Sequence, residues 1–383
     1  MNQRYTHLGI YSDWVSAAAR FREMAPKACP GPETQQKVLN VLGFCGGDEN
    51  PKDVRLEGTW EKDGITGEEI SWWVGYGPRT HAWLLKPSGA NGKLPGVVAL
   101  HDHGGFKYFG KEKIADGPSD PLPILEVFRA ESYEGRAYAN ALAQEGFAVL
   151  VPDTFLWGSR RFPLETIPSG AREVAMSYKG WWFQASWPQE DIVYYNAAAA
   201  NHEDVIERYC ALLGTNLAGV VSYEDRMAAN YLAQRPEVDP ARLGCIGLSG
   251  GGCRAALLEA TSQRISAAVV VGMMSTYAGL LDENVASHTW MLFPHAWARY
   301  GDWTDLAACR APSPLLVQYN LQDELFSEGG MRAADQRLAE HYLNVGHPEN
   351  YNGEFYPGLH KFDLDMQASA FSWLKGHLIT SKI

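Results

Sequence analysis

Apolar residues in this chain fall in short uninterrupted runs separated by stretches of helical periodicity. Pro95-Gly-Val-Val-Ala-Leu-His101, Phe147-Ala-Val-Leu-Val-Pro152, Leu243-Gly-Cys-Ile246, Ile265-Ser-Ala-Ala-Val-Val-Val-Gly272 and Pro314-Leu-Leu-Val-Gln-Tyr319 lack strict polar alternation. Such runs suit strands buried on both faces. Between and after them, Tyr133 to Glu145, Tyr223 to Ala233, Arg254 to Ala260, Met331 to Leu343 and Phe362 to Leu378 predict helices. Asn350 to Tyr356 predicts a last strand. Upstream, Val54 to Glu61 and Glu69 to Tyr76 predict a hairpin joined through Lys62-Asp-Gly-Ile-Thr-Gly67, and Thr80 to Lys86 a third strand. Buried strands alternating with helices predict an α/β fold: a mostly parallel central sheet with helices on both faces, opened here by an antiparallel hairpin.

Three stretches stand outside the alternation. Residues 13–43 carry helical patterning (Trp14, Val15, Ala18 and Phe21, then Val38, Leu39, Val41 and Leu42), divided by Pro26, Pro30 and Pro32. Residues 1–52 therefore predict an N-terminal helical extension, and residues 53–383 the main domain. Residues 106–132 show no clear period. Residues 154–221 are long and aromatic and predict an insert that partly caps the site.

Hydrophobic residues make up 46% and charged residues 20% of the 383, an ordinary globular balance. The formal net charge of −12 argues against nucleic acid and anionic membranes as partners. No apolar stretch approaches 18 residues, and Met1 to Ile10 is polar and mixed, so a cytoplasmic location is expected. The six cysteines are scattered without a C-x-x-C pair, which reads as reduced thiols. A homo-oligomer stays open.

The candidate chemistry centres on Gly247-Leu-Ser-Gly-Gly251, a tight turn between a short apolar strand and a helix rich in Ala and Leu. A serine on such a turn is forced into a strained conformation with its hydroxyl above the sheet. Serine is a weak nucleophile at neutral pH and needs a base. His360, in Tyr356-Pro-Gly-Leu-His360, follows the last strand and meets the same rim. Asp323 follows the strand ending at Tyr319, with Glu324 its competitor; the acid would fix the tautomer of the imidazole. The order Ser249, Asp323, His360 is that of a hydrolase triad on an open α/β sheet. For a developing oxyanion, one donor is the N–H of Gly250; the second is His103 or Gly104, in His101-Asp-His-Gly-Gly105. The triplet His101-Asp102-His103 also invites a metal reading. Neighbours on an extended segment point to opposite sides and no distant ligand cluster accompanies them, so neither metal nor cofactor is expected.

These segments, with Val151-Pro-Asp-Thr-Phe-Leu-Trp-Gly-Ser-Arg-Arg161, Arg235-Pro-Glu-Val-Asp-Pro240 and Asp305-Leu-Ala-Ala-Cys-Arg-Ala-Pro-Ser-Pro314, resemble the α/β-hydrolase superfamily over residues 54–378. Within it the chain looks like the acetyl xylan esterase-like and dienelactone hydrolase-like branch. The resemblance implies an α/β-hydrolase domain over 53–383 and a carboxylic ester hydrolase with Ser249, Asp323 and His360 as triad. Dienelactone hydrolases proper use a cysteine where this chain has serine. Gly250 stands where many relatives carry a larger residue, which predicts a more mobile oxyanion loop. The expected function is serine-esterase cleavage of a small-molecule ester through an acyl-enzyme. The alternatives are the same triad acting on an amide, peptide or carbon–carbon bond, or a non-catalytic binding protein on a hydrolase fold. Trp157, Trp181 and Trp182 are candidates for lining the pocket. Arg160 and Arg161 would bind a substrate carboxylate or form a structural ion pair.

Overall fold

The computed structural model describes residues 4–177 and 188–379. Its described residues form a sheet of β1 (Lys52–Lys62), β2 (Ile65–Trp73), β3 (Thr80–Pro87), β4 (Leu94–Leu100), β5 (Ala148–Pro152), β6 (Val238–Leu248), β7 (Ile265–Val271), β8 (Leu315–Asn320) and β9 (Tyr351–Tyr356). The order across the sheet is β1-β2-β3-β5-β4-β6-β7-β8-β9. The β1–β2, β2–β3 and β3–β5 pairs are antiparallel. From β5 to β9 every pairing is parallel.

Successive residues of a strand face opposite sides, and the continuous apolar runs fill two cores accordingly. Val98 and Leu100 of β4 join one cluster with Leu232 and Leu257 from the helices Leu217–Gln234 and Gly250–Thr261. Val97 and Ala99 join the other with Leu142 and Leu374 from the helices Tyr138–Gln144 and Leu364–Leu378. Helices therefore cover both faces, and the carboxyl ends of β4, β6 and β8 share one rim.

Three elements differ from the sequence expectation. The β1–β2 hairpin closes on Asp63-Gly64, both at positive φ (52° and 76°), and pairs Lys62 with Ile65. An Asp-Gly pair supplies the left-handed residues a two-residue turn requires, so β2 starts earlier than expected. The helix expected from Tyr133 to Glu145 starts later, at Tyr138–Gln144, and a further helix, Pro123–Tyr133, lies in the stretch that showed no period; Glu134 and Gly135 end it in the left-handed region. The described residues of the insert include two helices, Ser169–Ser177 and Glu190–Leu212. The longer helix buries Ile192, Tyr195, Ala199, His202, Glu203, Ile206 and Cys210 at the spacing of one face.

In the N-terminal stretch, the helix Pro32–Leu42 buries Val38 and Leu42. Thr215 Oγ1 donates to Leu42 O (2.7 Å), and Arg226 pairs with Glu49 (2.8 Å). The helix Asp13–Phe21 buries none of its residues. No helix among the described residues is long and apolar enough to cross a membrane.

Candidate active site

Ser249 sits where β6 ends and the helix Gly250–Thr261 begins, at φ 59° and ψ −121°. That conformation is costly for a residue with a side chain and persists only where its surroundings impose it. They do so here through crowding. A Cβ on Gly247 would meet the Gly251 carbonyl at 2.4 Å, and one on Gly251 would meet Leu100 O at 2.2 Å. Ser249 N–H donates to Val271 O (2.8 Å), tying the elbow to β7.

Asp323 lies just past β8 and His360 past β9. The two loops are stitched together: Leu321 N–H donates to Tyr356 O (2.9 Å) and Gln322 N–H to Gly358 O (3.1 Å). His360 Nδ1 meets Asp323 Oδ2 at 2.6 Å, while Asp323 Oδ1 accepts from Leu325 N–H at 2.9 Å. Asp323 is buried and Glu324 exposed, which separates the two acid candidates. Burial pulls the His360 imidazolium down, but the charge and hydrogen bond of Asp323, helped by Asp102, outweigh it and leave the pKa above the usual histidine value. His360 Nε2 is buried and has no hydrogen-bond partner among the described residues. No hydrogen bond thus joins Ser249 Oγ to it, the looseness common in unliganded sites.

Ser249, His360, Gly250, His103 and Gly104 all border one cavity of about 220 Å³. Its walls are apolar at Leu248, Cys253, Met273, Leu292, Leu325 and Phe326, with Glu131 and Ser132 also at its edge. His288 joins this wall: its ring packs on Phe326 at 4.6 Å, and Nε2 donates to Leu325 O at 3.0 Å. Burial pushes its pKa down to about 4, so it is neutral at pH 7.

The glycine-rich loop follows β4. Gly104 and Gly105 take φ of 56° and 60°, values that favour glycine. A Cβ on Gly250 would meet His103 N at 2.6 Å and His103 Cβ at 2.7 Å. His103 occupies the space a larger residue at position 250 would take. His103 Nδ1 accepts from Gly105 N–H (3.0 Å), and Nε2 meets Glu203 Oε2 (2.9 Å). Below the loop, Lys113 Nζ pairs with Asp102 Oδ2 (3.1 Å), and Tyr133 donates to Asp102 Oδ1. Burial pushes the Lys113 ammonium down to about 8 against the pull of Asp102.

Trp157, Arg160 and Arg161, candidates for binding substrate, lie outside this cavity. Trp157 is buried beside the loop, 5.2 Å from the His103 ring, and donates Nε1–H to His103 O (3.3 Å); it does not line the cavity. Arg160 is buried in a fork with Glu224 (Nη2–Oε1 2.6 Å, Nε–Oε2 3.2 Å) and donates to Pro78 O, so it is a structural ion pair. Arg161 lies over the Tyr108 ring at 4.2 Å and donates to Gly158 O (3.0 Å). Trp181 and Trp182 fall outside the described residues. Among the described residues, no group of three or more His, Cys, Asp or Glu side chains is arranged to hold a metal ion.

Sequence reasoning missed Glu203, Lys107, Lys113 and His288 as members of this site, and saw Asp102 only as part of a triplet that invited a metal reading. Charged residues in a helical stretch or a structureless loop read as solvated, and their partners are too distant in the chain to be paired by spacing.

The sheet order, the elbow after β6 and the rim shared by β4, β6, β8 and β9 define the α/β-hydrolase fold. Comparison with solved structures agrees with this. The chain is similar to a glucuronoyl esterase from Solibacter usitatus (TM-score 0.57, 14% identity, 90% of this chain and 91% of that one). It is also similar to acetyl xylan esterase 1 from Thermoanaerobacterium sp. JW/SL YS485 (TM-score 0.51, 16% identity, 93% and 96%). In sequence it is similar to the "Putative hydrolase YtaP" of Bacillus subtilis, 22% identical over 320 residues that cover 83% of this chain and 90% of that protein. No family model matches the chain.

Proposed function

We propose that this protein is a serine hydrolase that cleaves a carboxylic ester through an acyl-enzyme. The observation that carries the reading is the His360–Asp323 pair at 2.6 Å with an unpartnered Nε2 at the wall of the cavity that Ser249 borders. The names of the structural neighbours, esterases of acetyl xylan and glucuronoyl type, support the same reaction class.

In this mechanism His360 Nε2 takes the Ser249 proton as Oγ attacks the ester carbonyl. Asp323 keeps the Nδ1–H tautomer and stabilises the imidazolium. The N–H of Gly250, with that of His103 or Gly104, receives the oxyanion. His360 then protonates the alcohol leaving group, and a water deprotonated by His360 releases the acid. The cavity of about 220 Å³ with apolar walls suits a short, uncharged acyl group.

The test is hydrolysis of p-nitrophenyl acetate together with labelling by a fluorophosphonate probe. Wild-type protein is expected to turn over the ester and to label at Ser249, and Ser249→Ala to do neither. Full activity in Ser249→Ala sinks the mechanism. A folded wild-type protein that fails to label favours the non-catalytic reading. A panel of matched amide, peptide and carbon–carbon substrates separates bond types.

A further inference from the structure

The helix Glu190–Leu212 brings one carboxylate from the insert into the base of the glycine-rich loop. Glu203 is buried, and four donors converge on its two oxygens. Oε2 takes the ammonium of Lys107 and the Nε2 of His103 (2.9 Å). Oε1 takes Thr289 Oγ1–H (2.6 Å) and Trp290 N–H (3.0 Å). Only an ionised carboxylate offers acceptors at both oxygens and no donor of its own. Burial opposes that charge, but Lys107 and His103 overcome it and hold the Glu203 carboxyl well below its usual range.

The arrangement also sets the state of His103. Burial keeps its imidazole neutral against the pull of Glu203. Nδ1 accepts from Gly105 N–H at 3.0 Å, so the single ring proton is assigned to Nε2, aimed at Glu203. The ring thereby bridges the insert to the backbone of its own loop. From below, Trp157 Nε1–H and Lys113 Nζ–H both reach the His103 carbonyl, each at 3.3 Å. The backbone N–H of His103 is what packs against Gly250.

We propose that Glu203 is a positioning residue for catalysis: it fixes the tautomer of His103, and through it the oxyanion donors of the loop, while anchoring the cavity wall at Thr289. The insert thus acts on the reaction through the oxyanion loop. This rests on the esterase reading above. Replacing the carboxylate by an amide puts an N–H₂ donor opposite groups that are themselves donors, so the loop must shift.

The experiment compares wild type, Glu203→Gln and the double variant Lys107→Met/Glu203→Gln, which removes the buried charge pair together and avoids leaving Lys107 unpaired. Active sites are counted by stoichiometric fluorophosphonate labelling of Ser249. Then kcat per titrated site, KM for p-nitrophenyl acetate and inhibition by phenylboronic acid are measured. A boronate becomes tetrahedral on Ser249 and depends on the oxyanion donors, whereas KM for so small an ester depends on them little. The expected result is a fall of about 10- to 100-fold in kcat per site, the scale of a misplacement near 1 Å by a change remote from the chemistry. Boronate affinity falls in parallel and KM stays within about threefold. Loss explained entirely by fewer titratable sites means a structural role only and overturns the proposal. Unchanged kcat and boronate affinity in a folded variant overturn it as well. A wild-type protein that neither turns over p-nitrophenyl acetate nor labels with a fluorophosphonate at Ser249 overturns the esterase reading beneath it, an outcome seen before any variant is made.

Discussion

Replacing Gly250 by alanine adds one methyl group at the contact between the nucleophile helix and the oxyanion loop. Gly250 is the first residue of the helix and its φ is not positive, so its backbone accepts alanine without strain. The consequence is steric. The new Cβ would lie 2.6 Å from His103 N and 2.7 Å from His103 Cβ. Opening the closer contact to an ordinary 3.4 Å moves the loop by about 0.8 Å. The obstacle is backbone on a loop pinned by Glu203, Trp157 and Lys113, so no side-chain rotation relieves it. A displacement of that size takes one oxyanion donor out of hydrogen-bond range. Losing one donor costs about 100- to 1000-fold in rate, or about 2.7–4 kcal/mol of transition-state stabilisation. The assay is kcat per titrated active site on p-nitrophenyl acetate, with thermal unfolding followed in parallel. The expected outcome is a deep loss of kcat in a protein that still folds and still labels slowly at Ser249. A Gly250→Ala enzyme within about threefold of wild type would show that this contact does not set the oxyanion geometry.

Three further outcomes are expected. His360 must be neutral to act as base, and its pKa is raised chiefly against burial by Asp323; kcat/KM should therefore climb with pH through a midpoint above about 6.5. Asp323→Asn should lower kcat by about 10⁴-fold and move that midpoint down; a midpoint that stays in place would refute the assignment. Arg160→Ala leaves Glu224 buried without its cation, and denaturant unfolding should register a loss of about 3–5 kcal/mol. KM values for neutral and carboxylate-bearing esters should be unmoved in that variant, and a selective rise for the carboxylate esters would return Arg160 to the substrate.

The parallel part of the sheet was legible because burial on both faces leaves an unmistakable trace, as in Val97 to Leu100 and Val269 to Val271. Positions at strand ends were legible for the same reason, since once β6, β8 and β9 are recognised, Ser249, Asp323 and His360 fall on one rim. The support beneath them was not. Three lysines in a stretch without period, Lys107, Lys111 and Lys113, are all buried, each beside a carboxylate. Glu203 lies 96 residues beyond Lys107 in a helix whose polar residues look solvated. Trp157 and Arg160 were visible as unusual residues, but their burial depends on Glu224 and His103, which only the tertiary fold brings near. Composition marks a residue as interesting; it does not say which side of a loop the residue will occupy.

An insert between two strands of a sheet is ordinarily the part of a fold most free to drift, lengthen or be exchanged. The helix Glu190–Leu212 lacks that freedom at one position. Its Glu203 is shared with the loop after β4 and with the wall at Thr289. A chimera that imports a different insert would have to bring its own anchor for His103, or lose turnover before any change in selectivity could be seen. On the proposed role of Glu203, variation in the insert is constrained at this one position, where a carboxylate must be kept opposite His103 and Thr289.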